Sequence, residues 1–475
     1  MFRNVIIKLR KGYDLERPLI IEWIGVIGIH LFAFVSFIYN DFKSLTIWSV
    51  NLLDVTFEGR PLYFFEYSAQ NIHQVPHRFI ANIWAVLPWS IWNIPIWILQ
   101  RFFGYNILES HFSMAWSKLF LVVSLAGVTF LAYKISDLII SDKKRSMWAA
   151  ILTASSVFVF TSVYYAGQNS IVSILYSVLA FYLYLKGKNK GFIFWSAMSI
   201  AVKPFFIFAF IALLLYRQKN VLKIMRDILL VSSITVISRV VFLMAPSYTE
   251  ALEYGPFSQI LVRMLSVGAP TSVGIASIFI SGLVIVYFWA YIIREDTKKI
   301  NYIPIYLCVV PNLLLILFSD YEWYRPIVLI PFLPILLVSC RNWFRINIIL
   351  ELVFSSVGTW LLLFRNSWMY SPVFMQGSIV SAFLRRIRGE TILTHQPIIP
   401  AQGAIGFTYF LAISLPALAA IFLAAGVLLI VVNSPLFRSK VKIEEVKCER
   451  WILWFRLFQG LPFILLPLIR YLLRI

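Results

Sequence analysis

Acidic side chains follow the first apolar segment of the chain, about residues 19–39, and could act as general bases. Asp41 stands at the end of that segment, and Asp54 follows in the same polar stretch. A carboxylate held near a membrane plane can take the proton of a hydroxyl group as that oxygen attacks an electrophile. Asp41 is the first candidate because of its position, and Asp54 is the second. The alternative for each is an ordinary charge on a solvated loop.

The same stretch, residues 40–114, carries other side chains that could hold a polar substrate. These candidate binding residues are Glu58, Arg60, Glu66, His73, His77 and Arg78. Carboxylates and imidazoles form hydrogen bonds with hydroxyl groups, and guanidinium groups bind anions. The chain contains no motif with metal-ligand spacing, so we assign no metal ligand.

One lysine interrupts the apolar segment 191–219, GFIFWSAMSIAVKPFFIFAFIALLLYRQK. The runs on either side of Lys203 are each too short for a bilayer, which needs about 20 apolar residues. A single span would bury this lysine at mid-bilayer, at a cost of about 2.5–3.5 kcal/mol. A hairpin would bring the basic outer ends to one side and leave Lys203 at its tip, inside the protein. Its ammonium then needs a partner, either the phosphate of a lipid-linked ligand or an acidic side chain such as Asp41.

Two turns between apolar segments add further polar groups. Gln168 and Asn169 follow a glycine, and their amides can bind hydroxyl groups. Residues 319–326, SDYEWYRP, combine Asp320, Glu322 and Arg325 with aromatic side chains. Aromatic faces suit sugar rings, and a guanidinium suits phosphate. The alternatives are a plain helix–helix turn for the first and an aromatic belt with a local ion pair for the second.

A basic cluster lies in the last long polar stretch, residues 365–405. It contains Arg385, Arg386 and Arg388, and His395 follows. Clustered arginines on an outer face run against the usual preference of basic residues for the cytoplasmic side. They could hold a phosphate group or the headgroup of an anionic lipid. Unspecific attraction to anionic lipids is the alternative.

The composition is typical of an integral membrane protein. Of the 475 residues, 60% are hydrophobic and 13% are charged, whereas soluble domains average about 25% charged residues. A net charge of +20 would suggest a nucleic-acid ligand in a soluble protein. Here we attribute it to loops that set membrane orientation, and we expect no nucleic acid. The three cysteines suggest neither a disulfide framework nor a metal site.

The apolar segments and basic loops predict an all-α, multi-pass protein with about 11–13 transmembrane helices. The N-terminus is assigned to the cytoplasm, because lysine and arginine favour the predicted cytoplasmic segments by about two to one. Residues 80–103 are interpreted as helices at the exoplasmic interface, where tryptophan is favoured. If they crossed the membrane, every later loop would change sides. The tail, residues 451–474, is either a last span or a basic interfacial helix.

The order of these motifs resembles the GT-C superfamily, polytopic glycosyltransferases that take a sugar from a polyprenyl-phosphate carrier. The resemblance covers about residues 1–340 and is closest to the bacterial branch that includes polyprenyl-phosphomannose-dependent mannosyltransferases. Four features carry it: Asp41 with GRPLY at 59–63, the interfacial segment ending in FGYN at 103–106, the GQN turn at 167–169 with AVKP at 201–204, and the polar-aromatic turn at 320–325.

The resemblance implies a GT-C-like helical bundle in residues 1–340, with a re-entrant hairpin and interfacial helices. Residues 341–475 would form a variable transmembrane region with a basic cytoplasmic segment at 434–456. The implied activity is an inverting transfer of a hexose such as mannose to a lipid- or polymer-linked glycan on the exoplasmic face of the cell membrane. An aspartate would be the base, and Lys203, Arg325 or the arginine cluster would stabilise the departing lipid phosphate. The chain lacks the paired acidic residues of the family's first loop, which leaves open both a divalent metal and the identity of the base.

Two other functions stay open on sequence grounds. A polysaccharide polymerase or ligase acting on lipid-pyrophosphate glycans would also use exoplasmic arginines. A transporter or lipid flippase would be expected to show internal repeats with paired broken helices, and the sequence shows one broken segment without a matching second half. A scaffold protein would not explain a buried lysine.

Overall fold

The computed structural model describes residues 17–37, 40–71, 82–105, 110–249, 265–272, 274–293, 302–319, 325–339, 344–365, 378–388, 405–435 and 451–462, with 465 and 468–469. Across these residues the chain is mostly helical, as the sequence predicts. The helices of the first half are α1 (Ile20–Ser36), α2 (Asn40–Phe57), α3 (Phe64–Gln70), α4 (Leu87–Phe103), α5 (His111–Ile140), α6 (Lys143–Ala154), α7 (Ser170–Leu185), α8 (Asn189–Val202), α9 (Phe206–Arg217) and α10 (Val221–Phe242).

The second half is helical as well. Its helices are α11 (Ile278–Ile292), α12 (Ile303–Leu317), α13 (Phe332–Ser339), α14 (Phe344–Arg365), α15 (Ile379–Arg388), α16 (Ile405–Val432) and α17 (Trp451–Phe458). Short helical turns of other types occupy Pro61–Tyr63, Ile83–Ala85 and Arg325–Leu329, and a π-helix, Phe160–Tyr165, continues from the single turn Val157–Val159.

An antiparallel ribbon of two short strands precedes α11. Strand β1 (Gly268–Thr271) pairs with β2 (Gly274–Ser277), so that Gly268 lies opposite Ser277. Helix α11 therefore begins only at Ile278, after the ribbon. Gly274, at a φ of +129°, allows the tight reversal between the strands.

Three of the described helices are long and apolar enough to cross a membrane. They are α5, the part Phe344–Leu361 of α14 and the part Leu415–Val432 of α16. A fourth crossing would result if α6 and the segment Val157–Tyr165, which are bent by 42°, formed one span. Five shorter apolar helices accompany them, namely α1, α7, α9, α11 and α12. The predicted total of 11–13 crossings and their orientation stay predictions.

Helix α2 is held in the bundle by a buried polar cluster. The Asn93 amide of α4 donates to the hydroxyl groups of Ser49, at 2.8 Å, and Ser117, at 3.0 Å. These side chains belong to α4, α2 and α5, and all of them are fully buried. Because a buried polar group that loses its partner costs about 1–3 kcal/mol, the cluster fixes how α2 sits between its neighbours.

The C-terminal helix α17 is anchored by a buried ion pair. Arg456 makes two parallel bonds to Glu351 of α14, with Nη2 to Oε1 at 2.8 Å and Nε to Oε2 at 2.9 Å. Its Nη1 also donates to the Leu152 carbonyl and, at 2.8 Å, to the Ser155 hydroxyl. The predicted basic cytoplasmic segment 434–456 thus ends in an arginine that is 1% exposed and serves packing, not a solvated loop.

Candidate functional site

The turn at 167–169 joins the π-helix to α7 and is built for close packing. Gly167 has a φ of +59°, in the left-handed region that favours glycine. Gln168 and Asn169 are both buried, and the Asn169 amide donates to the Ala85 carbonyl at 3.2 Å. The contact connects the turn to the segment before α4. π-helices are rare and occur frequently at functional sites.

The same turn lies directly against the start of α2. A Cβ atom on Gly167 would come within 2.6 Å of the Cβ of Phe42. Only glycine allows this approach without displacing one of the two segments. Phe42 follows Asp41 in the first turn of α2, so the backbone of the first candidate base lies beside the turn. The side chain of Asp41 lies outside the described residues.

Lys203 reaches the turn from the end of α8. It follows the last residue of that helix in an extended conformation, with φ −150° and ψ 132°. Its Nζ donates to Oε1 of Gln168 at 3.0 Å and to the Ser170 hydroxyl at 2.8 Å. Two sites that the sequence identified separately, the GQN turn and the interrupted apolar segment, are therefore in direct contact.

Antiparallel packing of α7 and α8 sets this register. The Ser173 hydroxyl donates to the Ser199 carbonyl at 2.9 Å, and the Ser199 hydroxyl donates back to the Ser173 carbonyl at 2.8 Å. Small side chains allow the two backbones to come this close. The reciprocal bonds place the end of α8, and with it Lys203, level with the start of α7.

Helix α9 returns from Lys203 toward the start of α8. Arg217, at the end of α9, donates to the Tyr184 carbonyl at 2.9 Å and to the Asn189 side chain at 3.1 Å. The rings of Phe192, near the start of α8, and Phe210 of α9 lie 5.2 Å apart. The chain thus reverses at Lys203, and the basic ends of segment 191–219 lie together. The position of this reversal in a membrane stays a prediction.

Arg325 contacts the segment that follows Lys203. It opens the turn Arg325–Leu329 and is 8% exposed. Its guanidinium carbon lies 5.6 Å from the centre of the Phe205 ring. Phe205 is two residues beyond Lys203 in the sequence. Phe205 and Lys203 both line a small, partly open pocket.

The pocket is walled mainly by apolar groups, with a few polar ones. Its lining residues are Ser170, Ser173, Ile174, Ser177, Lys203, Phe205, Phe206, Asn312, Val328 and Phe332. They come from α7, α8–α9, α12, α13 and the turn that begins at Arg325. Mostly apolar walls with a few convergent polar groups are typical of small-molecule sites.

Asp54 belongs to the other end of α2. Since an α-helix rises 1.5 Å per residue, Asp54 and Asp41 are about 20 Å apart along the helix axis. The Trp97 indole donates to Asp54 at 2.8 Å and the Tyr67 hydroxyl donates to it at 3.4 Å. Burial raises the pKa of Asp54 above its usual value, and the Trp97 bond opposes that shift. The two aspartates therefore cannot act on the same atom, and Asp41 is the one next to Lys203's turn.

Three other candidates of the first polar stretch lie near Asp54 in sequence, and each of them contacts another residue. Arg60 and Glu58 form an exposed ion pair, which contributes little to stability. Glu66, in α3, accepts a long hydrogen bond of 3.4 Å from the Ser247 N–H. None of these contacts involves the residues of the turn or Lys203.

Several candidates cannot be placed. His73, His77, Arg78, Asp320, Glu322 and His395 lie outside the described residues. Arg385 and Arg388 belong to α15, but their side chains are not described. Arg386 is exposed on the same helix, where Ile379, Phe383 and Ile387 form an exposed apolar stripe at helical spacing.

Lys118 is a buried cation near this site that the sequence analysis missed. Its Nζ donates to the carbonyls of Ala33, Phe34 and Phe37. These are the free carbonyls at the end of α1, where a cation is favoured. Lys118 therefore fixes the break between α1 and α2, just ahead of Asp41. A lone lysine inside an apolar helix was the available signal, and it is the same signal that identified Lys203.

Within the described part of the chain, no three His, Cys, Asp or Glu side chains are grouped so that they could hold a metal ion. No protein-family model, curated protein or solved structure matches this sequence. The resemblance to GT-C enzymes therefore stays a prediction from the sequence motifs.

Proposed function

We propose that this chain is an integral membrane glycosyltransferase that transfers a sugar, such as mannose, from a polyprenyl-phosphate carrier to a lipid- or polymer-linked glycan. One observation carries the proposal. The Lys203 ammonium, the Gln168 amide and the start of α2 meet at a single turn. Such a transfer requires a cation for the departing phosphate, an amide that binds hydroxyl groups and a carboxylate base. Here the cation and the amide are in contact, and the helix that carries Asp41 begins beside them.

The proposed chemistry assigns one step to each group. Asp41 takes the proton of an acceptor hydroxyl, and that oxygen attacks the anomeric carbon from the face opposite the lipid phosphate. The bond from the anomeric carbon to the phosphate oxygen breaks, and the electron pair leaves with the phosphate. Lys203 and Arg325 stabilise the phosphate as its charge grows, a contribution that is typically worth about 10²–10³-fold in rate per donor group.

Transfer of label from a lipid donor tests the proposal. Membranes containing the protein are incubated with radiolabelled polyprenyl-phosphomannose or polyprenyl-phosphoglucose, and label is followed into glycolipid and polymer. Asp41→Asn should lower transfer by about 10²–10⁴-fold, as expected for a general base. The control is Asp137→Asn, the same change at a residue far from the site. Asp137 lies about 29 Å along α5 from Lys118, the residue of that helix that contacts the chain just ahead of Asp41.

Two results would overturn parts of the proposal. Full activity in Asp41→Asn together with loss in Asp54→Asn would move the base to the far end of α2. Label that crosses the membrane still attached to its lipid, without transfer, would identify a transporter or flippase.

A further inference from the structure

Asn312 lines the Lys203 pocket and carries a buried carbonyl oxygen. It lies in the apolar helix α12 and is 2% exposed. Its Nδ2 donates to the Cys308 carbonyl one turn earlier, at 2.8 Å. That bond fixes which end of the amide is which, since a carbonyl accepts only from the nitrogen. Among the described residues, Oδ1 of Asn312 has no hydrogen-bond partner, and burying such an oxygen costs free energy.

A hydrogen-bond donor faces the same pocket. The Ser170 hydroxyl accepts a bond from Lys203 at 2.8 Å, and this bond does not use the serine's own proton. The deeper serines are committed elsewhere, because Ser173 donates to the Ser199 carbonyl and Ser177 donates to the Ile174 carbonyl. The pocket therefore offers an acceptor at Asn312 and a donor at Ser170.

We propose that this pocket binds one hydroxyl group of the donor's sugar, which donates to Asn312 Oδ1 and accepts from Ser170. A hydroxyl is the small group that can both donate and accept. An ionised phosphate oxygen only accepts, so it would leave Asn312 unpaired. The inference rests on the proposed function. It adds a sugar contact next to the phosphate contact of Lys203 and Arg325.

Binding measurements with two lipids distinguish the proposed sugar contact from the phosphate contact. Purified protein in detergent is titrated with polyprenyl-phosphomannose and with bare polyprenyl phosphate. In Asn312→Leu, which keeps the branched shape of the side chain but removes its polar atoms, affinity for the sugar-bearing lipid should fall about tenfold, as for one hydrogen bond. Affinity for bare polyprenyl phosphate should not change. Lys203→Met should weaken binding of both lipids.

Thermal unfolding without lipid adds a second readout. Asn312→Leu should unfold at or above the wild-type temperature, because it removes an unpaired buried oxygen. Unchanged affinities together with lower stability would mean that Asn312 holds only a structural water, and would overturn the inference. Equal losses for both lipids would place Asn312 on the phosphate, which also overturns it but leaves the proposed function standing. Binding of neither lipid by the wild type would overturn the proposed function, and the sugar assignment with it.

Discussion

Gly167→Ala tests whether the GQN turn holds the start of α2 in place. The substitution adds one methyl group at a residue with a φ of +59°. That methyl carbon would lie 2.6 Å from the Cβ of Phe42, whereas unbonded carbons prefer about 3.5–4.0 Å. The turn and α2 must therefore separate by about 1 Å, a shift that the first turn of α2, with Asp41, has to follow.

Two costs add up at this position. An alanine in the left-handed region costs about 1–2 kcal/mol. Forcing an extra methyl into a packed interface costs a further 1–3 kcal/mol, approximately. Gly187 offers a matched control, because it has a φ of +68° but no atom within 4 Å of its added Cβ. Gly187→Ala should therefore show the backbone cost alone.

Thermal unfolding in detergent and sugar transfer in membranes should order the variants in the same way. Gly167→Ala should unfold at a lower temperature than Gly187→Ala, by the equivalent of about 1–3 kcal/mol. It should also lose transfer activity that Gly187→Ala keeps. Equal stability and equal activity in the two variants would refute the close contact between the turn and α2.

Three further predictions concern buried or half-buried charges. Glu351→Leu leaves Arg456 buried without its carboxylate partner and should lower the free energy of unfolding by about 3–5 kcal/mol, whereas the double variant Glu351→Leu with Arg456→Met should recover most of that stability. Thermal unfolding compares the single and the double variant. Equal destabilisation of both would contradict the ion pair. Lys118→Met should cost about 1–3 kcal/mol because helix-end carbonyls lose their donor, while Lys134→Met, an exposed change on the same helix, should stay within about 0.5 kcal/mol. Burial raises the pKa of the Asp54 carboxyl above its usual value of 3.8, so the stabilisation that its protonated form provides is complete below pH 3.8 and is lost as the pH rises through the folded-state pKa. Over that pH range the wild type should therefore lose stability relative to Asp54→Asn. A stability difference between the two that does not change with pH would count against the burial effect.

Local sequence signals were enough to identify the centre of the candidate site. A lysine followed by proline between two half-length apolar runs predicted a hairpin with Lys203 at its tip. In the structure Arg217, at the end of α9, contacts the start of α8, while the re-entrant placement of this hairpin in a membrane stays a prediction. The basic residues at both outer ends of the segment were the reason to predict a hairpin and not a single span. The contact between Lys203 and Gln168 needed the register of α7 against α8, which reciprocal serine bonds set and hydropathy does not encode.

Contacts between distant segments were beyond the sequence. Arg456 was counted with cytoplasmic loop charges, but it pairs with Glu351, 105 positions away. The sequence does not distinguish this arginine from the exposed basic residues around it, because its carboxylate partner is known only from the packing of α14 against α17. Asn312 was missed for a similar reason. An asparagine in an apolar helix draws attention only when one of its polar atoms faces a pocket.

Half-buried Lys203 differs from the buried cations Lys118 and Arg456 in what surrounds it, and the difference supports the role proposed for Lys203. Lys118 is held by backbone carbonyls at a helix end, and Arg456 by a carboxylate on a neighbouring helix. Such partners are fixed by the fold, so these charges cannot be offered to a ligand without local unfolding. The ammonium of Lys203 instead contacts a side-chain amide and a hydroxyl, Gln168 and Ser170, both able to rotate, on the wall of a pocket. An arriving phosphate can take over these two bonds when the Gln168 and Ser170 side chains rotate, which is what the proposed leaving-group site requires.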